Sequence, residues 1–285
     1  MMDVSVIVPV FNQWHLLPDL INAFSNQSGA FSRELVIVDN GSDEIAQLPD
    51  NPAITMLECE KPGSYAARNK GLSAVSGELI VFTDADCVPD SEWLMRLYEA
   101  YSDSDQKTLL AGNVIIRSNS QQPSSAELYD IAAGLPQQRY VSRGYAVTAN
   151  LAIPRSVFDQ VGIFDENRFS GGDADLCQRS LSAGCSLKFI SEAAVFHPAR
   201  TTWAEYATKV RRMKGGQIRA GRLSRRFKYF LITLLPPVWR FWRILKCDKL
   251  KLSEKTRVIW FQFRLWCVEL AEMFALICGK TPERR

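Results

Sequence analysis

Two aspartates follow a short apolar run and are separated by a single residue. Residues 79–82 have the length and the β-branched or aromatic content of a buried strand, and Asp84 and Asp86 follow them after Thr83. Alternate residues of an extended segment point the same way, so both carboxylates are expected to face one spot at the strand's C-terminal end. Two negative charges held that close favour a hard divalent cation, Mg²⁺ or Mn²⁺, which can clamp a diphosphate. A solvated acidic turn has the same short pattern, so the neighbouring motifs must decide.

Two further features bear on this cation. The chain contains neither G-x-G-x-x-G nor G-x-x-x-x-G-K-[ST], so phosphates are not held on a glycine-rich turn and a metal must help. His197 follows the last predicted strand, and a neutral imidazole is a common metal ligand. A single histidine after an apolar strand is more often a satisfied structural residue, which is the alternative.

The elements that position these groups alternate between strands and helices. Such alternation predicts parallel βαβ units and a nucleotide-binding α/β sheet, in which ligands bind at the C-terminal ends of the strands. Ser91 is expected to cap the helix that follows the two aspartates. Strands are predicted at residues 4–10, 35–38, 54–57, 79–82, 109–116, 146–153 and 187–196, and helices at 16–25, 64–76, from 91 onward, at 126–134, and from the Gly-Gly turn to about 184.

Composition excludes several classes of protein. An apolar fraction of 47% over 285 residues is typical of a folded protein with one large domain, or one domain with an appendage. Seven cysteines without a CxxC pair, and only two histidines, argue against structural zinc and favour a reduced, cytosolic protein. The first apolar run has no basic segment before it and is interpreted as a strand, not a signal peptide. No stretch of about 18 uncharged apolar residues predicts a transmembrane span.

Charge divides the chain at about residue 200. Residues 1–200 contain 14 Lys and Arg against 25 Asp and Glu, whereas residues 201–285 contain 20 against 6. We therefore expect a catalytic domain at 1–200 and a basic, aromatic-rich helical region at 201–285. The basic region predicts an anionic surface as its partner, either lipid headgroups or another polyanion, with a solvated helical face as the alternative. Nucleic acid is not expected as a partner.

Five short motifs occur in one order along residues 3–200, and together they resemble family 2 glycosyltransferases of the GT-A fold. Each motif is modest alone, and their order and spacing make the resemblance specific. It implies a Rossmann-like mixed α/β sheet flanked by helices, and inverting transfer of a sugar from a nucleotide-diphosphate donor to an acceptor hydroxyl. The motifs are residues 6–12 (VIVPVFN), 35–42 (LVIVDNGS), 67–71 (ARNKG), 83–86 (TDAD) and 171–176 (GGDADL).

The resemblance also implies how the donor is bound. Asp39 would accept a hydrogen bond from the base or ribose, although an aspartate before Asn-Gly commonly bonds the amides of its own loop. Arg68 would bind the uracil or the diphosphate, and a merely solvated helix arginine is the alternative. Asp84 would face the ribose or the cation, and Asp86 would ligate the cation, with His197 as a further candidate ligand. Pro9, Phe11 and Asn12 complete the donor-binding set.

A second group of residues is implied on the acceptor side. Asp173 corresponds to the catalytic base, although without the other motifs it would be interpreted as an acid favoured at a helix N-terminus. Gly172 replaces the glutamate that precedes this base in the family, which leaves acceptor specificity open. Asp175 is either a second helix acid or a partner behind the base, and Asn150 either contacts the sugar and acceptor or ends a strand.

Other functions remain as alternatives. The Gln-x-x-Arg-Trp motif of processive relatives is not found, so transfer of one sugar is favoured. A sugar-phosphate nucleotidyltransferase would be expected to carry a glycine-rich loop with arginine where this chain has residues 9–12. A catalytically inactive nucleotide-sugar-binding protein or membrane-docked scaffold is the non-enzymatic alternative, and the retention of Asp86 and Asp173 argues against it.

The basic region is predicted to dock on the inner face of a membrane without crossing it. A helix at 256–278 would place one apolar stripe along its length, with Arg257, Arg264, Glu269 and Glu272 off the stripe. The acceptor would then be a lipid-linked or cell-surface glycan precursor. Packing of the stripe on the catalytic domain or on a second subunit is the alternative. The stripe consists of Ile259, Trp260, Phe263, Trp266, Leu270, Met273, Phe274 and Ile277.

Overall fold

The structure is a computed structural model that describes residues 2–118, 120–168, 170–219 and 223–283. Contacts divide it into two compact units. The sheet unit comprises Met1–Ile115, Leu135–Glu166 and Gly172–His197, and the helical unit comprises Ile116–Gly134, Asn167–Gly171 and Pro198–Arg285. The helical unit thus takes in residues 116–134, 167–171 and 198–200 from the first 200 residues, and a domain boundary at residue 200 stays a prediction.

The strands of the described residues form one mixed sheet in the order β3-β2-β1-β4-β7-β6-β8-β5. β1 pairs in parallel with β2 and β4, and β2 with β3, whereas β4–β7, β6–β7 and β5–β8 are antiparallel. β1, β2 and β4 are rich in apolar residues, and successive residues of these strands are buried, as expected for parallel strands buried on both faces. The strands are β1 (Val4–Val10), β2 (Arg33–Asp39), β3 (Ile54–Glu58), β4 (Leu79–Thr83), β5 (Val88–Pro89), β6 (Thr108–Arg117), β7 (Asn150–Pro154) and β8 (Ser186–Pro198).

The parallel strands place the predicted site at one edge of the sheet. Because β2, β1 and β4 run side by side in the same direction, their C-terminal ends share that edge. Asp39 is the last residue of β2, Phe11 and Asn12 follow β1, and the two aspartates follow β4. The antiparallel strand β7 begins opposite Thr83, which brings Asn150 to the end of β4.

Eleven α-helices are found among the described residues. α4 begins with a capping box in which the Ser124 hydroxyl accepts from the Glu127 amide and the Glu127 carboxylate accepts from the Ser124 amide. The helices are α1 (Leu17–Ser25), α2 (Ser64–Leu72), α3 (Trp93–Ser102), α4 (Ser125–Ala133), α5 (Gln137–Val141), α6 (Arg155–Val161), α7 (Gly172–Ser182), α8 (Trp203–Arg219), α9 (Leu223–Leu234), α10 (Val238–Leu245) and α11 (Leu252–Ile277).

The predicted strands and helices are found, with four local corrections. α2 ends at Leu72, four residues early, and β7 begins at Asn150, four residues late. Ser91 does not cap α3, because that helix starts at Trp93 and no side chain caps it. The two aspartates do not continue β4: the strand ends at Thr83, and a turn closed by the Cys87 amide on the Asp84 carbonyl contains them.

The two units have different interiors. The sheet unit buries a continuous apolar core that includes Ile7, Phe82 and Leu176. The helical unit has three smaller apolar clusters, and it also buries charged and polar side chains of α8, α9 and α11. Along the described chain, no helix combines the length and apolar character that crossing a membrane requires.

Candidate active site

The turn after β4 gives its two aspartates different partners. Arg68, on α2, is 3% exposed, and its Nη2 lies 2.6 Å from Oδ1 of Asp84. Oδ2 of Asp86 lies 3.4 Å from Nε2 of His197, which is buried near the end of β8. Asp84 is therefore neutralised by an arginine while Asp86 faces an imidazole, and ligation of a cation by either acid stays a prediction.

The donor chemistry of Asp86 and His197 fits a divalent cation. A carboxylate oxygen and an imidazole nitrogen suit Mn²⁺, and the carboxylate alone suits Mg²⁺. Within the described ranges, no group of three or more His, Cys, Asp and Glu side chains is arranged to hold a metal ion. This pair could therefore supply only part of a coordination shell.

The loops after β1 and β2 are tied together beside the same edge. The amide of Asn12 donates to the Ser42 hydroxyl at 2.9 Å, and its side chain exchanges hydrogen bonds with Asp43. Asn12 adopts the left-handed backbone conformation, with φ of 54°, which asparagine tolerates better than most residues. A cavity of about 610 Å³ lies against these loops and is lined in part by Asn12, Trp14 and Asp43. The structure thus places Asn12 at an open concave surface.

Asp39, the last residue of β2, is buried beside the loop that follows it. One of its oxygens accepts the Trp14 indole N–H at 2.8 Å, and the other accepts the amides of Gly41 and Ser42 at 3.0 Å. Burial opposes ionisation, but the bonds from Ser42, Trp14 and Gly41 outweigh it and hold the pKa of Asp39 below its usual value. Asp39 is therefore an ionised acceptor that organises the loop, which is the structural role considered from the sequence. Its contact with a base or ribose stays a prediction.

Asp173 lies in the first turn of α7 and is partly exposed. Its Oδ1 is 3.5 Å from the Tyr65 hydroxyl and accepts the Ala174 amide at 2.9 Å. Burial is the largest influence and raises the pKa of Asp173 above its usual value, against the Ala174 amide and the positive charge of Arg68. A carboxylate whose charge is poorly solvated is a stronger base than one in water, which suits proton abstraction.

Gly172 is packed against the ring of Tyr65. Its amide donates to the Tyr65 hydroxyl at 2.8 Å, and a Cβ at this position would lie 2.8 Å from two ring carbons. The ring occupies the space into which a side chain at 172 would project. Tyr65 was missed by the sequence reasoning because a tyrosine one turn before Arg68 has no distinguishing signal.

Two predicted acceptor residues have internal partners. Asn150 is fully buried: its side chain accepts the Trp93 indole N–H and donates to the carbonyls of Asn113 and Ala193. These bonds favour a role in joining strands over contact with an acceptor. Asp175 accepts from Arg179 at 3.0 Å, one turn further along α7. That pairing favours the alternative of a supporting residue behind the base.

Pro9 and Phe11 are half-buried where β1 ends. Pro9 pairs with Val38 of β2 in the strand register, so its ring stands at the edge that carries Asp39. Trp14, which bonds Asp39 and lines the adjacent cavity, was also missed. A tryptophan at the start of a helix gives no sequence signal for such a contact.

This fold is the GT-A fold of nucleotide-sugar transferases. Polar and charged side chains lie at the C-terminal ends of its parallel strands, and an acid lies at the start of α7. The family described as glycosyl transferase family 2 matches residues 5–164, and the chain belongs to that family and is a glycosyltransferase. It is 36% identical over 232 residues to glycosyltransferase AglE of Haloferax volcanii, covering 78% of this chain and 75% of that protein.

Two further comparisons are more local or more distant. An undecaprenyl-phosphate 4-deoxy-4-formamido-L-arabinose transferase of Salmonella choleraesuis is 34% identical over 104 residues, covering 33% of this chain and 32% of that protein. A crystal structure of GalNAc-T7 with UDP, GalNAc and Mn²⁺ superposes with a TM-score of 0.56 at 17% identity, covering 70% of this chain and 44% of that one. At that identity the likeness concerns the fold alone.

Proposed function

We propose that this glycosyltransferase moves one sugar with inversion from a nucleotide-diphosphate donor to an acceptor hydroxyl, and that Asp173 is the base. The observation that carries the proposal is the grouping of Asp173 with the Arg68–Asp84 pair. The Tyr65 hydroxyl lies 3.5 Å from Oδ1 of Asp173, and Arg68 on the same helix α2 pairs with Asp84 at 2.6 Å, so the base lies near the edge where a donor would bind. Asp173 would accept the proton of the attacking hydroxyl as the bond to the sugar forms.

Asp86 and His197 are proposed to hold a divalent cation against the donor diphosphate, whose oxygens would complete the coordination. When bound, that cation supplies Lewis-acid stabilisation of the departing nucleoside diphosphate. Arg68 adds a fixed positive charge beside the same turn. The loops that carry Asn12 and Asp39 are proposed to form the nucleoside-binding site. The Mn²⁺ complex of GalNAc-T7 supports this assignment as an analogy of fold.

The test is a donor panel. Thermal shift with UDP- and GDP-sugars, each with and without Mn²⁺, identifies the donor because ligand that binds the native state raises its melting point. Release of nucleoside diphosphate then measures turnover, and the anomeric configuration of the product measures inversion. A product that retains the donor's configuration, or a donor bound without any turnover across acceptors, would contradict the proposal.

A second proposal concerns where the enzyme works: we infer that the helical unit docks on an anionic membrane surface without crossing it. The supporting observation is that this unit buries some charged side chains and exposes large apolar ones, the reverse of the usual distribution. Lys214 and Glu269 are 5% and 7% exposed, yet Val238 and Trp239 are 67% and 57% exposed. Large apolar side chains left in water each forgo about 1.5–3 kcal/mol of burial, so a surface rich in them indicates a partner.

Most of the exposed large apolar residues lie on the last three helices, and some of them stand beside basic residues. The indole rings of Trp239 and Trp242 stack at 4.9 Å, and the Lys246 ammonium lies 4.2 Å from the centroid of the Trp242 ring. Aromatic and cationic groups together suit the headgroup boundary, where each Lys or Arg contributes about 1 kcal/mol. The exposed apolar residues include Phe227 on α9, Val238, Trp239 and Trp242 on α10, and Trp260 and Phe274 on α11.

The predicted stripe of α11 is narrower than expected. Trp260, Phe263, Phe274 and Ile277 are exposed, but Met273 is fully buried in a cluster with Ile218 and Leu276. The error arose because a long helix in a bundle presents one apolar face inward as well as one outward, and a single periodic stripe does not separate them. Ile259 and Leu270 are partly buried against such clusters, and the half-buried Trp266 donates to the Thr233 carbonyl.

Charge favours lipid over a second copy as the occupant of this surface. Residues 201–285 carry 20 Lys and Arg against 6 Asp and Glu, so two copies would repel where an anionic leaflet attracts. The cytoplasmic leaflet is proposed because the cysteines are free, which suits a reducing compartment. We propose a lipid-linked acceptor, and the name of the Salmonella relative, an undecaprenyl-phosphate 4-deoxy-4-formamido-L-arabinose transferase, supports this.

The membrane proposal is tested by co-sedimentation with vesicles of phosphatidylcholine, with or without phosphatidylglycerol, at low and high salt. Binding is expected only to the anionic vesicles and is expected to weaken with salt. Trp239→Ser with Trp242→Ser should reduce it, whereas Ile45→Ser with Ile163→Ser, exposed apolar residues of the sheet unit, should not. Dimerisation without vesicles that the tryptophan pair abolishes would assign the surface to a second copy.

A further inference from the structure

Tyr65 connects the helix that carries Arg68 to the start of the helix that carries Asp173. Its hydroxyl accepts the Gly172 amide at 2.8 Å and lies 3.5 Å from Oδ1 of Asp173. A hydroxyl that accepts from an amide keeps its single proton for another acceptor, and the Asp173 carboxylate is the acceptor within reach. Burial and the Asp173 charge raise the pKa of the Tyr65 phenol, so that proton stays on the oxygen at neutral pH.

We propose that Tyr65 is a positioning residue that orients the Asp173 carboxylate for proton abstraction, and that Gly172 is a glycine because the Tyr65 ring fills its side-chain space. This inference rests on the proposed role of Asp173 as the base. One hydroxyl fixes both the first amide of α7 and the carboxylate of the next residue. The backbone and the side chain of the reacting segment are thereby held by the same group.

The ring of Tyr65 is itself held in place. It stacks on Phe164 with centroids 5.7 Å apart and planes inclined by 19°, and the Arg68 guanidinium carbon lies 5.9 Å from its centroid. A phenylalanine at 65 would keep both contacts and lose only the hydroxyl. Tyr65→Phe therefore isolates the contact with Asp173 and Gly172 from the packing of the ring.

The experiment compares Tyr65→Phe with Tyr98→Phe as a matched control. Tyr98 also stacks on a phenylalanine, Phe31, and its hydroxyl lies 3.3 Å from the Asp3 carboxylate, outside the candidate site. We expect Tyr65→Phe to lower kcat by roughly 10-fold or more with donor Kd close to that of Tyr98→Phe, and to lower the melting temperature more than Tyr98→Phe because the buried Gly172 amide loses its acceptor. A kcat equal to that of wild type, or a fall in kcat matched by an equal loss of donor affinity, would overturn the inference.

Two double variants show whether Tyr65 acts through Asp173 and Gly172. Tyr65→Phe should add no further loss in an Asp173→Asn background if it acts through that carboxylate. Gly172→Ala should lower kcat in the wild type, where a Cβ meets the ring, and should be tolerated once Tyr65→Ala has removed the ring. Additive losses in both double variants would show independent effects and overturn the inference. Full turnover by Asp173→Asn alone would instead refute the proposed base, which keeps the two failures distinguishable.

Discussion

The guanidinium of Arg68 and the carboxylate of Asp84 form an ion pair at 2.6 Å, in which the arginine is almost fully buried. An arginine does not lose its charge on burial, so it requires the acid. Asp86, two residues further along, faces an imidazole instead. The two aspartates of this turn are thus electrostatically distinct, and exchanging each for asparagine should have distinct consequences.

Asp86→Asn should raise the Mn²⁺ concentration needed for half-maximal turnover by roughly 10-fold or more, because it weakens a proposed cation ligand. Asp84→Asn should leave that concentration nearly unchanged and instead lower the melting temperature, because it leaves the Arg68 charge without its partner. Turnover titrated with Mn²⁺ and differential scanning calorimetry measure the two effects. Asp159→Asn, at an exposed acid on α6, is the control. Full activity in excess EDTA, or equal cation dependence of the two variants, would contradict the assignment.

His197→Gln should change which cation is preferred. An imidazole nitrogen favours Mn²⁺ over Mg²⁺, whereas oxygen ligands suit both, so removing the nitrogen should lower the ratio of Mn²⁺- to Mg²⁺-supported turnover. We expect the Mn²⁺ activity to fall by roughly 10-fold or more and the Mg²⁺ activity to fall less. Turnover with each cation at saturation gives the ratio. If both activities fall in proportion, His197 serves only to hold the turn.

Sequence predicts the fold well where a segment's own residues determine it. The apolar runs of β1, β2 and β4 specify buried strands through their own composition, and these strands are found as predicted. The order of motifs likewise places Asp39, Asp84 and Asp173 at loops and a helix start. A local sequence pattern cannot predict which distant residue will be the hydrogen-bond or ion-pair partner of a given side chain. The pairing of Asp84 with Arg68, the indole on Asp39 and the bonds that saturate Asn150 all join segments distant in sequence.

Asp173→Asn should separate activity from stability. Donor affinity should persist while turnover falls by roughly 100-fold or more, because the amide keeps the shape and removes the basicity. Burial raises the pKa of Asp173 in the folded protein above the ordinary value of 3.8, so the folded state binds the proton more tightly than the unfolded chain. Its ionisation at neutral pH therefore lowers the stability of the fold.

The asparagine variant should consequently be more stable than wild type at pH 7. That advantage should shrink as the pH falls through the raised folded-state pKa and should vanish below 3.8, where the wild-type carboxyl is protonated in both states. Urea unfolding at several pH values measures the difference. Wild-type turnover by the variant, or lower stability at pH 7, would be the contrary results.

The helical unit buries the oppositely charged side chains of Lys214 and Glu269. The Glu269 carboxylate accepts from Arg240 at 2.6 Å and lies 3.1 Å from the Lys214 ammonium, which in turn donates to the Thr233 hydroxyl. Burial opposes the ionisation of Glu269, but Arg240 and Lys214 outweigh it and hold its pKa below the usual value. Glu269 on α11 therefore links α8 and α10 through its ion pairs with Lys214 and Arg240. Lys214 in turn connects α9 through its hydrogen bond to Thr233.

Glu269→Gln should destabilise the protein by about 3–5 kcal/mol at neutral pH, because it leaves a buried ammonium without its counter-charge. A depressed folded-state pKa makes this contribution fully present above the ordinary value of 4.5 and lost as the pH falls through the folded value, so wild type and variant should converge in acid. Glu283→Gln, which breaks a more exposed pair with Arg211 at 2.8 Å, should cost about 1 kcal/mol or less. Equal effects of the two substitutions in urea unfolding would show that the Glu269 cluster does not hold these helices together.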